Sequence, residues 1–166
     1  MQIALLAPLP PEQNGIADYA GHLKQALEGL GIRVRTPLQG VGNDPEAARQ
    51  RVADADWAGI DLVHAEIGGG RLAEFQALRT LREIYPQLPL TATVHDPERL
   101  VWRRHSLPWP LSMAASLRSP LPEIATVLAD PLCLREERQL ARQLTRLVTL
   151  TQMGNRCLQP RMGLQQ

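Results

Sequence analysis

The sequence predicts an α/β protein in which helices cover both faces of a parallel sheet. Short apolar runs that end at proline or glycine alternate with segments in which apolar residues recur every three or four positions. The connections between these segments are short, as they are in β-α-β units, whose crossovers have a fixed hand. The expected fold is therefore Rossmann-like and doubly wound, with residues 1–166 forming one domain.

The first strand is the apolar run at residues 2–7, which Pro8 ends. A helix follows from Ile16, with apolar residues at helical spacing as far as Leu30. The loop between them ends in Asn14-Gly15, so that the free N–H groups of a helix N-terminus could bind an anion there while Gly15 allows close approach. A plain turn, which Asn and Gly also favour, is the alternative.

The remaining elements continue the alternation of strands and helices. Asp44 and Pro45 predict the start of a helix, since Asp is a good N-cap and Pro fits the first helical position. Thr151 is expected to cap a final helical turn. The other predicted elements are strands at residues 32–36, 60–67, 90–95 and 146–150 and helices at residues 45–54, 72–85 and 130–143.

Three predicted loops leave the carboxyl ends of strands, at residues 8–15, 66–70 and 95–99. In open parallel sheets ligands bind outside this edge, so the three loops define a candidate crevice. His95 lies at the end of the fourth strand, at the same edge of the sheet. It could donate a hydrogen bond to a ligand hydroxyl or stabilise a charge that develops during a reaction. The alternative is that His95 only caps the end of its strand.

Composition and missing motifs exclude several classes of protein. The sequence contains 18 Lys and Arg residues against 17 Asp and Glu residues, a formal charge of +1, which argues against a general nucleic-acid binder. Neither G-x-G-x-x-G nor G-x-x-x-x-G-K-[ST] occurs. The triplet His64-Ala65-Glu66 has the H-x-E pattern of zinc deaminases, but the P-C-x-x-C motif is missing, so a structural histidine and no metal are expected.

The expected location is the cytoplasm, because no stretch reaches the length of a membrane helix and no signal peptide precedes the first strand. The irregular run at residues 102–110 combines tryptophan, arginine and proline. One interpretation packs Trp102 and Trp109 onto the domain. The other is a loop that contacts the acceptor or the membrane surface, which would place the protein at the inner face of the membrane.

Two motifs and a glycine-rich turn between them resemble the N-terminal domain of family 4 glycosyltransferases, which have the GT-B fold. The motifs are Asn14-Gly15-Ile16-Ala17-Asp18-Tyr19-Ala20 and Thr93-Val94-His95-Asp96-Pro97. The run Val148-Thr149-Leu150-Thr151 resembles the end of the same domain. The resemblance implies one half of a retaining, metal-independent transferase, in which this domain binds a glycan or lipid-linked acceptor and a C-terminal domain binds the nucleotide-sugar donor.

The resemblance also implies roles for single residues. Gly15, with Asn14, would approach the donor diphosphate, and His95 would contact the donor sugar as the candidate catalytic residue. The rest of the candidate substrate- and diphosphate-binding set is Asp18, Glu66, Gly69 and Asp96. The nucleotide-sugar is expected as a substrate, with no cofactor and no nucleic-acid partner.

The sequence departs from the family in having no room for the donor domain with its E-x7-E motif. Glu66 and Glu74 have that spacing, but they lie in the first half, so the match is treated as coincidence. The C-terminal domain is therefore an expected partner, and the chain alone is expected to be inactive. The alternatives are a stand-alone, non-catalytic glycan-binding module and half of a nucleotide-sugar epimerase of the same architecture.

Overall fold

The computed structural model describes residues 1–97, 109, 113, 118, 121 and 138–162, with side chains in the last range only as far as residue 159. The predicted α/β, Rossmann-like fold is confirmed, because five parallel strands form one sheet with helices around it. The strands are β1 Gln2–Leu6, β2 Arg33–Arg35, β3 Leu62–Ile67, β4 Leu90–Val94 and β5 Arg146–Thr149. The helices are α1 Gly15–Gly29, α2 Pro45–Asp54, α3 Ala73–Ile84 and α4 Gln152–Met162.

The strand order β2-β1-β3-β4-β5 makes the sheet doubly wound. From β1 the chain moves outward to β2, and it then crosses back past β1 to β3. The order of the strands therefore reverses between β1 and β3. In sheets of this kind the reversal leaves a crevice outside the carboxyl ends of the strands, which is the usual place for a ligand.

The two faces of the sheet have very different cores. The face covered by α2 and α3 carries a large apolar cluster, in which Phe75, Leu78 and Leu81 of α3 pack on alternate residues of β1, β3 and β4. The face covered by α1 has a small cluster of Leu5, Ala7, Leu9 and Ala20. On this second face β3 carries His64 and Glu66 and β4 carries Thr91 and Thr93, and these polar side chains belong to the candidate site described below.

Helix starts agree with the capping residues in the sequence. The Asp44 side chain accepts hydrogen bonds from the N–H groups of Glu46 at 2.9 Å and Ala47 at 3.1 Å, and α2 begins at Pro45 as predicted. Asn14 caps α1 in the same way, because its Oδ1 accepts from Ala17 N at 2.8 Å. Each side chain satisfies N–H groups that have no partner inside the helix.

The last helix of the described chain is longer than predicted. The final helical turn is a helix of 11 residues, α4, and Thr151 caps it by accepting a hydrogen bond from Gly154 N at 2.9 Å. The predicted helix at 130–143 falls largely outside the described residues, and its last part, 138–143, is helical.

The interpretation in which Trp109 packs onto the domain is wrong, because 80% of the surface of Trp109 is exposed. A run broken by prolines has no helical or strand periodicity, so nothing in the sequence fixed the direction of this side chain. Trp102 lies outside the described residues. Within the part of the chain that the structure describes, no helix is both long enough and apolar enough to cross a membrane.

Candidate functional site

The loops that follow β1, β3 and β4 meet at one edge of the sheet, as the sequence predicts. Arg71 donates to Glu12 at 3.1 Å, which joins the second loop to the first. The N–H of Gly69 donates to Oδ2 of Asp96 at 2.7 Å, which joins the second loop to the third. The three segments therefore form one surface beside the reversal of strand order.

The first turn of α1 packs tightly on the turn after β3. A Cβ atom placed on Gly68 would lie 2.2 Å from Cδ1 of Ile16, so a side chain at this position would displace Ile16. This contact fixes the N-terminus of α1 against the end of β3. Any ligand held by the first N–H groups of α1 therefore lies close to the residues that leave β3 and β4.

A buried network of histidine and carboxylate side chains lies under this edge. Oε2 of Glu66 is 2.8 Å from Nε2 of His95, and Oε1 of Glu66 is 3.2 Å from Nε2 of His64. His64 also bonds two threonine hydroxyls, with Nδ1 at 2.8 Å from Thr91 and Nε2 at 3.0 Å from Thr93. Glu66 thus sits between two imidazoles, and its side chain has no exposed surface.

The network follows from strand alternation and register. Successive side chains of a strand point to opposite faces, so His64 and Glu66 share the α1 face while their apolar neighbours join the large core. The parallel register pairs His64 with Thr91 and Glu66 with Thr93. His95 directly follows β4, and its N–H donates to the carbonyl oxygen of Ile67 at 2.8 Å, which extends the strand pairing by one bond.

The electrostatics of the network favour an ionised Glu66. Burial raises the pKa of this carboxyl, but the interactions with the imidazoles of His64 and His95 outweigh burial and hold the pKa below its ordinary value of 4.5. Oε1 of Glu66 nevertheless lacks a hydrogen-bond partner among the described residues. A buried anion with one unsatisfied oxygen is costly, so the arrangement is unusual for a purely structural group.

Tyr19 forms the outer wall beside His95. The two rings meet edge to face, with centroids 5.1 Å apart, and 37% of the tyrosine surface is exposed. Burial of the hydroxyl raises the pKa of Tyr19 above its ordinary value of 10.0, and the charge of Glu66 raises it further, so the hydroxyl keeps its proton at neutral pH. The sequence placed Tyr19 on the apolar stripe of α1, and periodicity alone could not show that it contacts His95.

The predicted diphosphate-binding residues lie at the start of α1. Gly15 is the first residue of the helix, is exposed, and has open space where a side chain would begin. The Asn14 side chain is already engaged as the helix cap, so it orders the turn. Asp18 is exposed in the first turn. A negative charge there complements the helix dipole and repels a bound phosphate.

The structure brings together the predicted residues His95, Glu66, Asp96 and Gly69, but not all of them are open to a ligand. The Gly69 N–H and the Asp96 carboxylate bond each other, and Glu66 lies beneath His95. Of the residues at this edge, Gly15, Asp18 and Tyr19 are exposed, and the side chain of His95 keeps a small exposed fraction.

Two residues of this edge have no signal in the sequence. Oδ1 of Asn43, in the loop before α2, accepts from Leu72 N at 2.7 Å and Ala73 N at 3.3 Å, so it caps α3 from a distant part of the chain. Arg71 forms an ion pair with Glu74 in addition to its bond to Glu12. Both contacts depend on the tertiary fold and leave no local pattern.

The structure separates Glu66 from Glu74, which have E-x7-E spacing. Glu74 is buried at the start of α3 in its pair with Arg71, whereas Glu66 contacts the two histidines. Among the residues that the structure describes, no group of three or more His, Cys, Asp and Glu side chains is arranged to hold a metal ion.

Comparisons with known proteins do not identify a family. No family model matches the sequence, and no curated protein matches it significantly. The class of protein that fold and site define is thus an α/β protein of Rossmann-like topology with a histidine and carboxylate network at the carboxyl edge of its sheet.

Proposed function

We propose that this chain is the acceptor-side half of a glycosyltransferase, which transfers a sugar from a nucleotide-sugar donor to a glycan or lipid-linked acceptor. One observation carries the proposal: the N-terminal part of α1 lies against His95, through Tyr19, and against the turn after β3, through Ile16. The N-terminus of α1 provides N–H donors for a diphosphate, and His95 provides an imidazole for a sugar. A nucleotide-sugar presents those two groups next to each other.

In the proposed reaction the diphosphate is the leaving group. The free N–H groups at the start of α1, together with the positive end of its dipole, would stabilise the negative charge that develops on this group. Gly15 has no side chain to keep the phosphate away, and open space lies in front of it. The chain's contribution to the chemistry is therefore to bind and stabilise the leaving diphosphate.

The sugar groups would contact His95, Tyr19 and Asp18. The phenol of Tyr19 can donate or accept a hydrogen bond with a sugar hydroxyl. Because a carboxylate repels a diphosphate, we assign the exposed Asp18 to a hydroxyl group of the acceptor. The donor domain would be supplied by further polypeptide or by a partner chain, and exposed Trp109 would serve a lipid-linked acceptor at the membrane surface.

A pair of glycine substitutions tests the phosphate site. Gly15→Ala and Gly29→Ala each add a methyl group to α1, at opposite ends, where the structure has open space. Neither should unfold the protein, since both residues lie in the helix without positive φ. We expect calorimetry with nucleoside diphosphates and nucleotide-sugars to show weak binding, which Gly15→Ala reduces about tenfold, or about 1.4 kcal/mol.

Gly29→Ala is the matched control, and several results would contradict the proposal. Gly29→Ala should bind like the unmodified chain, and equal losses in both variants would contradict a phosphate site at Gly15. Tight binding of a nucleotide-sugar by this chain alone would contradict the division into acceptor and donor halves. We also expect the purified chain to transfer no sugar in an assay with these donors, and sustained turnover would contradict that expectation.

A further inference from the structure

We infer that Glu66 is a positioning residue, which binds the Nε2–H of His95 and so leaves Nδ1 of His95 as a hydrogen-bond acceptor for a ligand hydroxyl. The inference deepens the proposed function and rests on it only for the identity of the ligand. It also reverses the expectation that a neutral His95 donates to the ligand.

The proton on His95 is fixed by its partner. Nε2 lies 2.8 Å from Oε2 of Glu66, a hydrogen-bond distance. An ionised carboxylate has no proton and can only accept, so Nε2 must carry the hydrogen. A neutral imidazole has one N–H, which leaves Nδ1 with a free lone pair. Among the described residues nothing donates to Nδ1, and 11% of the side chain remains exposed.

His64 lies on the other side of the carboxylate, where its Nε2 is 3.2 Å from Oε1 of Glu66. Its Nδ1 lies 2.8 Å from the Thr91 hydroxyl, which is also 3.1 Å from the carbonyl oxygen of Val63. Nε2 of His64 also lies 3.0 Å from the Thr93 hydroxyl. The interaction with His64 lowers the pKa of Glu66, which favours the ionised carboxylate that accepts from His95.

The cost of this arrangement points to function. Burying a carboxylate whose second oxygen has no partner is unfavourable, and an apolar side chain would fill the same space without that cost. What an apolar residue could not do is fix the tautomer and ring orientation of His95. A carboxylate that orients an imidazole is a recurrent device where a histidine must accept a proton or hydrogen bond.

The tautomer defines the ligand chemistry on each side of the crevice. A phosphate oxygen needs donors, which the start of α1 supplies, whereas Nδ1 of a neutral His95 needs a donor from the ligand. A sugar hydroxyl is such a donor. The geometry therefore assigns hydroxyl recognition to His95 and phosphate recognition to α1.

Nuclear magnetic resonance of the 166-residue chain tests the inference without a ligand. Long-range proton–nitrogen correlations distinguish the tautomers of each imidazole, and the His95 signals are those that His95→Gln removes. We expect the Nε2–H tautomer in spectra of the neutral imidazole, recorded on the alkaline side of neutrality. Glu66→Gln should retain it, because the amide oxygen still accepts, whereas Glu66→Leu should give a mixture of tautomers.

Comparison of Glu66→Gln with Glu66→Leu distinguishes a positioning role of Glu66 from a purely structural one. If Glu66 were purely structural, neither variant would change the tautomer of His95. Glu83→Gln, which changes an exposed carboxylate on α3, is the control and should leave the His95 signals unchanged. An Nδ1–H tautomer or a mixture in the unmodified chain overturns the inference, as does an unchanged tautomer in Glu66→Leu. If Glu66→Leu does not fold, the unmodified spectrum decides. Because no ligand is present, failure here leaves the proposed function standing, and failure of nucleotide binding leaves the tautomer result intact.

Discussion

Glu66 links the candidate site to the stability of the fold, because one buried carboxylate serves both. It faces His64 on its own strand, His95 at the end of β4 and Tyr19 on α1. The interactions with the two imidazoles lower the pKa of Glu66 in spite of its burial. A group that is ionised more readily in the folded than in the unfolded protein must stabilise the fold in its charged form.

We expect the contribution of Glu66 to disappear in acid. The unfolded chain protonates this carboxyl near its ordinary pKa of 4.5, whereas the folded protein protonates it at lower pH. The stabilisation is therefore present above about pH 4.5 and is lost as the pH falls through the folded-state pKa. Glu66→Gln should lower the free energy of unfolding by about 1 kcal/mol at pH 7, since a hydrogen bond to a charged group becomes a neutral one.

Urea denaturation between pH 7 and pH 3 measures this effect. The difference between the unmodified chain and Glu66→Gln should shrink below about pH 4.5. Glu83→Gln removes an exposed carboxylate and should leave the pH dependence unchanged. Curves that run parallel for the unmodified chain and Glu66→Gln at every pH would show that the histidines do not stabilise the carboxylate.

Single residues of the site were predictable only where the signal was local. His95 follows a strand and adjoins Asp96, which indicated a polar strand end at the carboxyl edge of the sheet. The partnership of His95 with Glu66 spans 29 positions and depends on the register of β3 with β4. A sequence pattern gives the face on which a residue lies but not the neighbour it meets across strands.

The positions of most helices and strands agree with the prediction, because the sequence patterns that predict them are local. Asp44 and Pro45 fixed the start of α2, and apolar runs between turn residues fixed the positions of β1, β3 and β4. The predicted strand at 60–67 begins at Leu62, since Ile60 lies in the turn before the strand, where its N–H donates to Trp57. Ends of this kind depend on where partner strands stop and are not encoded locally.

The start of α3 is the clearest case of an element that depends on a distant residue. No side chain within the helix caps it, and Asn43 supplies the cap while its own Nδ2 donates to the carbonyl oxygen of Gly70 at 2.8 Å. We expect Asn43→Ala to lower the free energy of unfolding by about 1–2 kcal/mol, because the N–H of Leu72 loses its acceptor.

Thermal and urea denaturation measure the cost of Asn43→Ala. Asn155→Ala is the matched control, since Asn155 is exposed on α4 and only its backbone forms a described hydrogen bond. The control should change stability by less than about 0.5 kcal/mol. A cost for Asn43→Ala as small as that of the control would mean that water caps α3 equally well.

At the scale of the whole molecule, the two faces of the sheet differ in polarity. On the α2 and α3 face, alternate residues of β3 and β4 are apolar and join the large core. On the α1 face the same strands carry His64, Glu66 and two threonines, so that α1 packs on only a small apolar cluster. The polar groups on this face therefore weaken the packing of the helix beside it.

This asymmetry leads us to expect that α1 opens more easily than α3. Local opening requires less free energy where few apolar side chains are buried, and α1 buries only Ala17 and Ala20 whereas α3 buries Phe75, Leu78 and Leu81 among others. Hydrogen exchange followed by mass spectrometry should show faster exchange in peptides from residues 15–29 than from residues 73–84. Equal or greater protection of α1 would contradict this expectation. Since the proposed phosphate contacts are made by the first N–H groups of α1, a bound nucleoside diphosphate should slow exchange in α1 and leave α3 unchanged.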